Sequence, residues 1–113
     1  MWIYLNNSFL SIVAHNDKPE HMHVRGRRRG DIEAVFPEAN VTDTPDRDYA
    51  FRADISRSTV EEAMLRAVRN INYGNFKGSI SDTSRHDEYL EVWGVMVDHQ
   101  NRRYHRGGTD QYL

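Results

Sequence analysis

The 113-residue chain contains no cysteine. That excludes a disulfide framework, a thiol nucleophile and any cysteine-ligated zinc or iron–sulfur centre. Long apolar runs are missing as well. No stretch approaches the ~20 residues of a bilayer span, and the opening MWIYLNNSFL lacks the basic flank of a secretory leader, so the cytoplasm is the expected setting. Neither sign of charge dominates: 15 Lys and Arg against 17 Asp and Glu leave a net charge of −2. Such a balance argues against a protein that coats nucleic acid by bulk electrostatics. The glycines match no phosphate-loop or dinucleotide fingerprint, and there is no Gly-x-Ser-x-Gly elbow. With no catalytic signature, no cofactor is expected. Internal repeats and low-complexity tracts are also absent.

What is present is polar. The composition is 38% hydrophobic and 28% charged, with a mean hydropathy of −0.81, over a length suited to one core. A single domain is expected over 1–100, followed by a polar, flexible tail over 101–113. Residues 2–5 and 9–14 read as strands around Asn6-Asn7, a two-residue turn whose side chains tolerate positive φ. Residues 21–27 alternate, with Met22, Val24 and Gly26 on one side and His21, His23, Arg25 and Arg27 on the other. A short helix enters at Gly30-Asp31 and stops at Pro37. Residues 40–44 and 49–55 read as two further strands, with Tyr49, Phe51, Ala53 and Ile55 inward and Arg52 and Asp54 outward. Ser58 and Glu61 form a capping-box pattern before an apolar stripe of Val60, Ala63, Met64, Ala67, Val68 and Ile71. Asp82 or Ser84 caps a last helix whose stripe is Tyr89, Leu90, Trp93, Met96 and Val97. The order βββ-α-ββ-α-α implies an α+β domain, an antiparallel sheet of about five strands with two long helices packed on one face.

The segment WIYLNNSFLSIVAHNDKPEHMHVRGRRRGDIEAVFP, the strand DYAFRADIS, and INYGNFKGSI followed by RHDEYLEVWGVM resemble a group of small single-domain proteins of bacterial and phage genomes. The likeness covers roughly residues 2–100. It brings no established activity, so it transfers no functional residue. It implies a cytoplasmic protein that travels with mobile elements and acts by binding and blocking.

The densest local feature is Arg25, Arg27, Arg28 and Arg29, four of the fifteen basic residues within five positions. Guanidinium groups grip phosphates or carboxylates in a bidentate manner. The same arginines have internal partners within reach in Asp31, Glu33, Asp43, Asp46 and Asp48. His21 and His23 share one strand face with them, and Arg52 joins from the fifth strand. Two histidines at this spacing suit metal ligation only with a third ligand, for which His15 is the nearest candidate, so no metal site is expected. As a general base beside arginines, either histidine would suit RNA cleavage. Asp87, Glu88 and Glu91 lie at the start of the last helix, where acids complement the helix dipole. The aromatics Trp2, Tyr4, Phe9, Tyr49, Phe51, Phe76, Tyr89 and Trp93 are assigned to packing. Arg102 to Arg106 forms a second basic stretch read as a solvated terminus.

The expected function is therefore a non-enzymatic, phage-type binding protein. Its partner-binding face comprises Arg25, Arg27, Arg28, Arg29, His21, His23 and Arg52. The partner is a protein or nucleoprotein complex, in the most concrete form a host defence machine blocked in the manner of an anti-CRISPR protein. Direct RNA or DNA binding by the Arg25–Arg29 cluster is the first alternative, and a small nuclease using His21 and His23 the second. Exposed edges at residues 40–44 or on the first hairpin suit a homodimer.

Overall fold

The computed structural model describes residues 1–104. The chain forms two compact units, the first Met1–Gly74 and the second beginning at Asn75. The first contains a five-stranded antiparallel sheet in the order β1-β2-β3-β5-β4. Its strands are β1 (Trp2–Leu5), β2 (Ser8–Ala14), β3 (His21–Gly26), β4 (Thr42–Asp43) and β5 (Phe51–Ser56). The fold is α+β, strands first and helices after.

Register follows from the first turn. Asn6 and Asn7 separate the pair Leu5↔Ser8, so Tyr4 faces Phe9, Ile3 faces Leu10 and Trp2 faces Ser11. No non-glycine residue among those described has a positive φ, so this turn closes without the left-handed conformation its asparagines would tolerate. Alternation then sorts the sheet into two faces. Leu10, Ile12, Val24, Ala53 and Ile55 lie in the buried cluster, with Ile3, Met22 and Phe51 packed against it.

Two helices cover that apolar side. α1 (Asp31–Val35) contributes Ile32, and Phe36 follows directly after it. Gly30 caps α1 at φ 93, and the buried Asp31 accepts a hydrogen bond from Phe9 N at 3.0 Å. α2 (Arg57–Arg69) brings Val60 and Ala63. Its cap is Ser56, whose hydroxyl accepts from Thr59 N at 3.2 Å, and not the Ser58 of the sequence pattern. β5 runs into α2 without a loop, which moves the start of the helix two residues earlier. Only the first half of the α2 stripe is covered, for Val68 is 66% and Ile71 51% exposed.

β4 holds two residues instead of five, because only Thr42 and Asp43 find partners on β5. The second unit contains a 3-10 turn at Lys77–Ser79 and α3 (Thr83–Tyr104). Asp82 Oδ1 accepts from Arg85 N at 2.9 Å, capping α3 as one of the two expected residues. Tyr89 is buried and stacks on Phe76 at 5.9 Å, whereas Leu90, Trp93 and Met96 are exposed. α3 extends through residues 101–104; the rest of the expected tail, 105–113, lies outside the described residues. Among the described residues no helix is long and apolar enough to cross a membrane.

Gly30 and Gly94 offer paired tests, since an added Cβ meets nothing within 4 Å at either. Gly30→Ala should cost about 1–2 kcal/mol through its left-handed φ alone. Gly94→Ala, inside exposed α3, should gain about 0.5–1 kcal/mol. Urea unfolding of the two variants measures both, and losses at both positions would contradict the assignment.

Candidate nucleic-acid interface

The other face of the sheet carries the chemistry. Cross-strand pairing aligns Trp2, Ser11, Arg25, Arg52 and Thr42 in one row. The next row is Val13, His23 and Asp54. Trp2, Tyr4 and Phe9 belong to this face, which corrects their assignment to core packing. Trp2 is 66% exposed and meets Phe9 edge-on at 6.4 Å; Tyr4 lies over Phe9 at 4.6 Å. Aromatics therefore join the face that alternation gave to His21, His23, Arg25, Arg27, Arg52 and Asp54.

The arginine run divides. Arg25 donates to Ser11 Oγ at 2.7 Å, with its guanidinium 4.5 Å from the Tyr49 ring. Arg27, beyond the end of β3, lies 4.1 Å from the same ring and donates to Asp48 O at 2.6 Å. Tyr49 is buried, as expected, but beneath these two cations and outside the core cluster. Arg29 pairs with Asp43 at 3.0 Å and lies over Phe51, and Arg28 is exposed and also has a contact of its own. Only Arg25 of the four projects from the middle of the sheet.

Arg52, the register partner of Arg25, donates to Asp48 at 2.8 Å. Like charges directly opposite across strands repel. Each of these guanidiniums also keeps a buried Nε–H with no acceptor. An anion over this pair would offset the repulsion, and a phosphate presents the matching oxygens.

Beside the pair lies a histidine cluster built on Asp54. Its Oδ1 accepts from His21 Nδ1 at 2.6 Å, while Oδ2 meets His15 Nε2 at 3.3 Å and Lys18 Nζ at 3.7 Å. The His21 hydrogen bond, with the charges of His21, His15 and Lys18, holds the Asp54 carboxyl below its ordinary value against an opposing effect of burial. His15 Nδ1 accepts the amides of Asp17 and Lys18, both at 3.1 Å. That acceptor role puts the His15 proton on Nε2, facing Asp54. His23 stacks on His15 at 4.3 Å. Burial, then His15, Arg25 and Arg52, lower the His23 pKa, outweighing the Asp54 charge.

Among the described residues no group of three His, Asp or Glu has the arrangement of a metal site. His15, the third ligand considered, turns to Asp54 and to backbone amides instead. Asp87, Glu88 and Glu91 are exposed on α3, where His86 meets Asp87 at 3.2 Å. No family model, curated protein or solved structure matches the chain.

Asp54 was placed outward and His15 was considered only as a metal ligand, whereas Ser11 and the three hairpin aromatics are the members of this face that motif reading missed. The signal for them was available, because a two-residue turn with Leu5 opposite Ser8 dictates which residues share each face.

The two shifts act on stability in the same direction. The unfolded chain protonates His23 near 6.5, before the folded chain does, so this contribution is complete above 6.5 and is lost as pH falls below it. Asp54 contributes stability above 3.8 that is lost as pH falls through its depressed folded value. Lowering the pH from about 7.5 to about 5.5 should therefore lower the thermal midpoint, and His23→Gln should flatten that dependence. An unchanged slope in the variant would rule out His23 as the source.

Proposed function

We propose that the protein is a binding module whose outward sheet face docks on a single-stranded nucleic acid. The row Trp2, Ser11, Arg25 and Arg52 carries this reading. It has an exposed aromatic plate at one end and two opposed arginines two and three strand spacings along, about 10 and 14 Å away between backbones. A base stacks on the plate while a phosphate satisfies the arginines, the combination that single-strand binders use. An acidic protein surface would engage the arginines but leave Trp2 without a use. Net charge near zero fits a local contact of this kind and not a continuous coat.

The defence-complex inhibitor expected from the sequence would dock the same face on a protein or nucleoprotein machine instead of on a free strand. A cytoplasmic site of action goes with either partner.

Fluorescence anisotropy with labelled 20-nucleotide RNA and DNA strands at ~50 mM salt tests the proposal. Affinity should fall with salt at a log–log slope of about −0.7 per phosphate contacted. Trp2→Ala should weaken binding by about 1–3 kcal/mol, roughly 5- to 150-fold. No complex at ~50 mM salt, or full affinity in Trp2→Ala, would sink it.

A further inference from the structure

The row proposed to bind leaves out the histidine cluster beside the arginines. His21 and His23 are two residues apart on the outward side of β3, so about 6.5–7 Å separates their backbones. Their surroundings differ. His21 gives Nδ1 to Asp54 and is 39% exposed, and its Nε2 makes no hydrogen bond to any described residue. The ring nitrogens of His23 make no hydrogen bond to any described residue, and neither is sealed from solvent. The register neighbour of His23 is Asp54, and Arg25 is next along its own face. His15 is engaged at both nitrogens, by backbone amides and by Asp54, and holds the other two in place. An imidazole paired with a carboxylate and a second, unpaired imidazole, beside a cation pair, have complementary roles in proton transfer.

We infer that His21 and His23 form an acid–base pair that cleaves single-stranded RNA at a phosphate further along the strand from the one held by Arg25 and Arg52. This rests on the nucleic-acid reading above and adds a reaction to it. His23 takes the proton from a ribose 2′-hydroxyl, and the 2′-oxygen forms a bond to phosphorus. The bond from phosphorus to the 5′-oxygen breaks, with its electron pair going to that oxygen. The imidazolium of His21 supplies the proton that completes the leaving 5′-hydroxyl. The products are a 2′,3′-cyclic phosphate and a 5′-hydroxyl end, and exchange with water returns both histidines to their starting states. Lys18, beside Asp54, supplies cationic charge for the non-bridging oxygens as negative charge gathers on them, while Arg25 and Arg52 hold a neighbouring phosphate. Asp54 is a positioning residue that fixes the His21 tautomer. The substrate class is RNA, because the attacking group is the 2′-hydroxyl. The lowered His23 pKa agrees with a base that is unprotonated at neutral pH.

The test incubates the purified full-length chain with end-labelled single-stranded RNA in the presence of EDTA. The same strand carrying 2′-O-methyl groups serves as a binding control that cannot react. The expected result is fragments ending in cyclic phosphate from the first strand and stable binding of the second. His23→Asn and His21→Asn should each lower the cleavage rate at least ~100-fold, with binding of the 2′-O-methyl strand retained as proof of folding. Asp54→Asn should lower kcat and leave KM unchanged. RNA left intact while the 2′-O-methyl strand binds would overturn the reaction and leave the binding proposal standing. Failure of both strands to bind would overturn both. Cleavage that persists unchanged in the two histidine variants would overturn the assignment to this pair.

Discussion

The pairing of β3 with β5 sets Arg25 opposite Arg52 and His23 opposite Asp54, and the chemistry of the molecule depends on that register. A slip of β3 by one residue would carry His23 and Arg25 into the apolar layer and bring Met22 and Val24 to the surface. The register is therefore defended from behind. Leu10 and Val24 are fully buried, and moving either into water forfeits roughly 1.5–3 kcal/mol of transfer free energy. The apolar side, closed by α1 and α2, thus holds like charges against each other on the opposite side.

Those charges are held in different ways. Arg25 is fixed by Ser11 and Tyr49, and Arg52 by Asp48. The Asp54 carboxylate gathers two histidines and a lysine. Along β3 the face thus passes from permanently charged arginines to imidazoles gathered beside the Asp54 carboxylate. A ligand lying along this strand would meet both kinds within two residues.

Much of this was legible from residue order alone. The alternation in residues 21–27 and 49–55 placed His21, His23, Arg25, Arg52 and Asp54 outward, and the element order implied the class of fold. Tyr49 was misread because alternation was extended past the strand, which begins only at Phe51. Trp2, Tyr4 and Phe9 were misread because large aromatics suit a core equally well, and only the hairpin register distinguishes the two sides. The Ser58 capping pattern gave way to Ser56 because continuity from β5 determined where α2 begins. Val68 and Ile71 carry helical periodicity, yet apolar spacing shows which side of a helix could be buried and not how far its covering extends. The partition of the four neighbouring arginines depended on acceptors at Ser11, Asp43 and Asp48, which lie distant in the chain.

The turn between β2 and β3 is bound at several points. His15 and His21 flank it and both hold Asp54, while Glu20 O accepts the Arg57 amide at 2.7 Å and Pro19 O accepts Arg57 Nε at 3.2 Å. The first amide of α2, one of the donors a helix leaves unpaired at its start, is thus satisfied by this turn. These bonds tie turn, carboxylate and helix start to one another. A bound anion that drew Lys18 from Asp54 would be felt at the N-terminus of α2, linking occupancy of the sheet face to order in a helix on the opposite side.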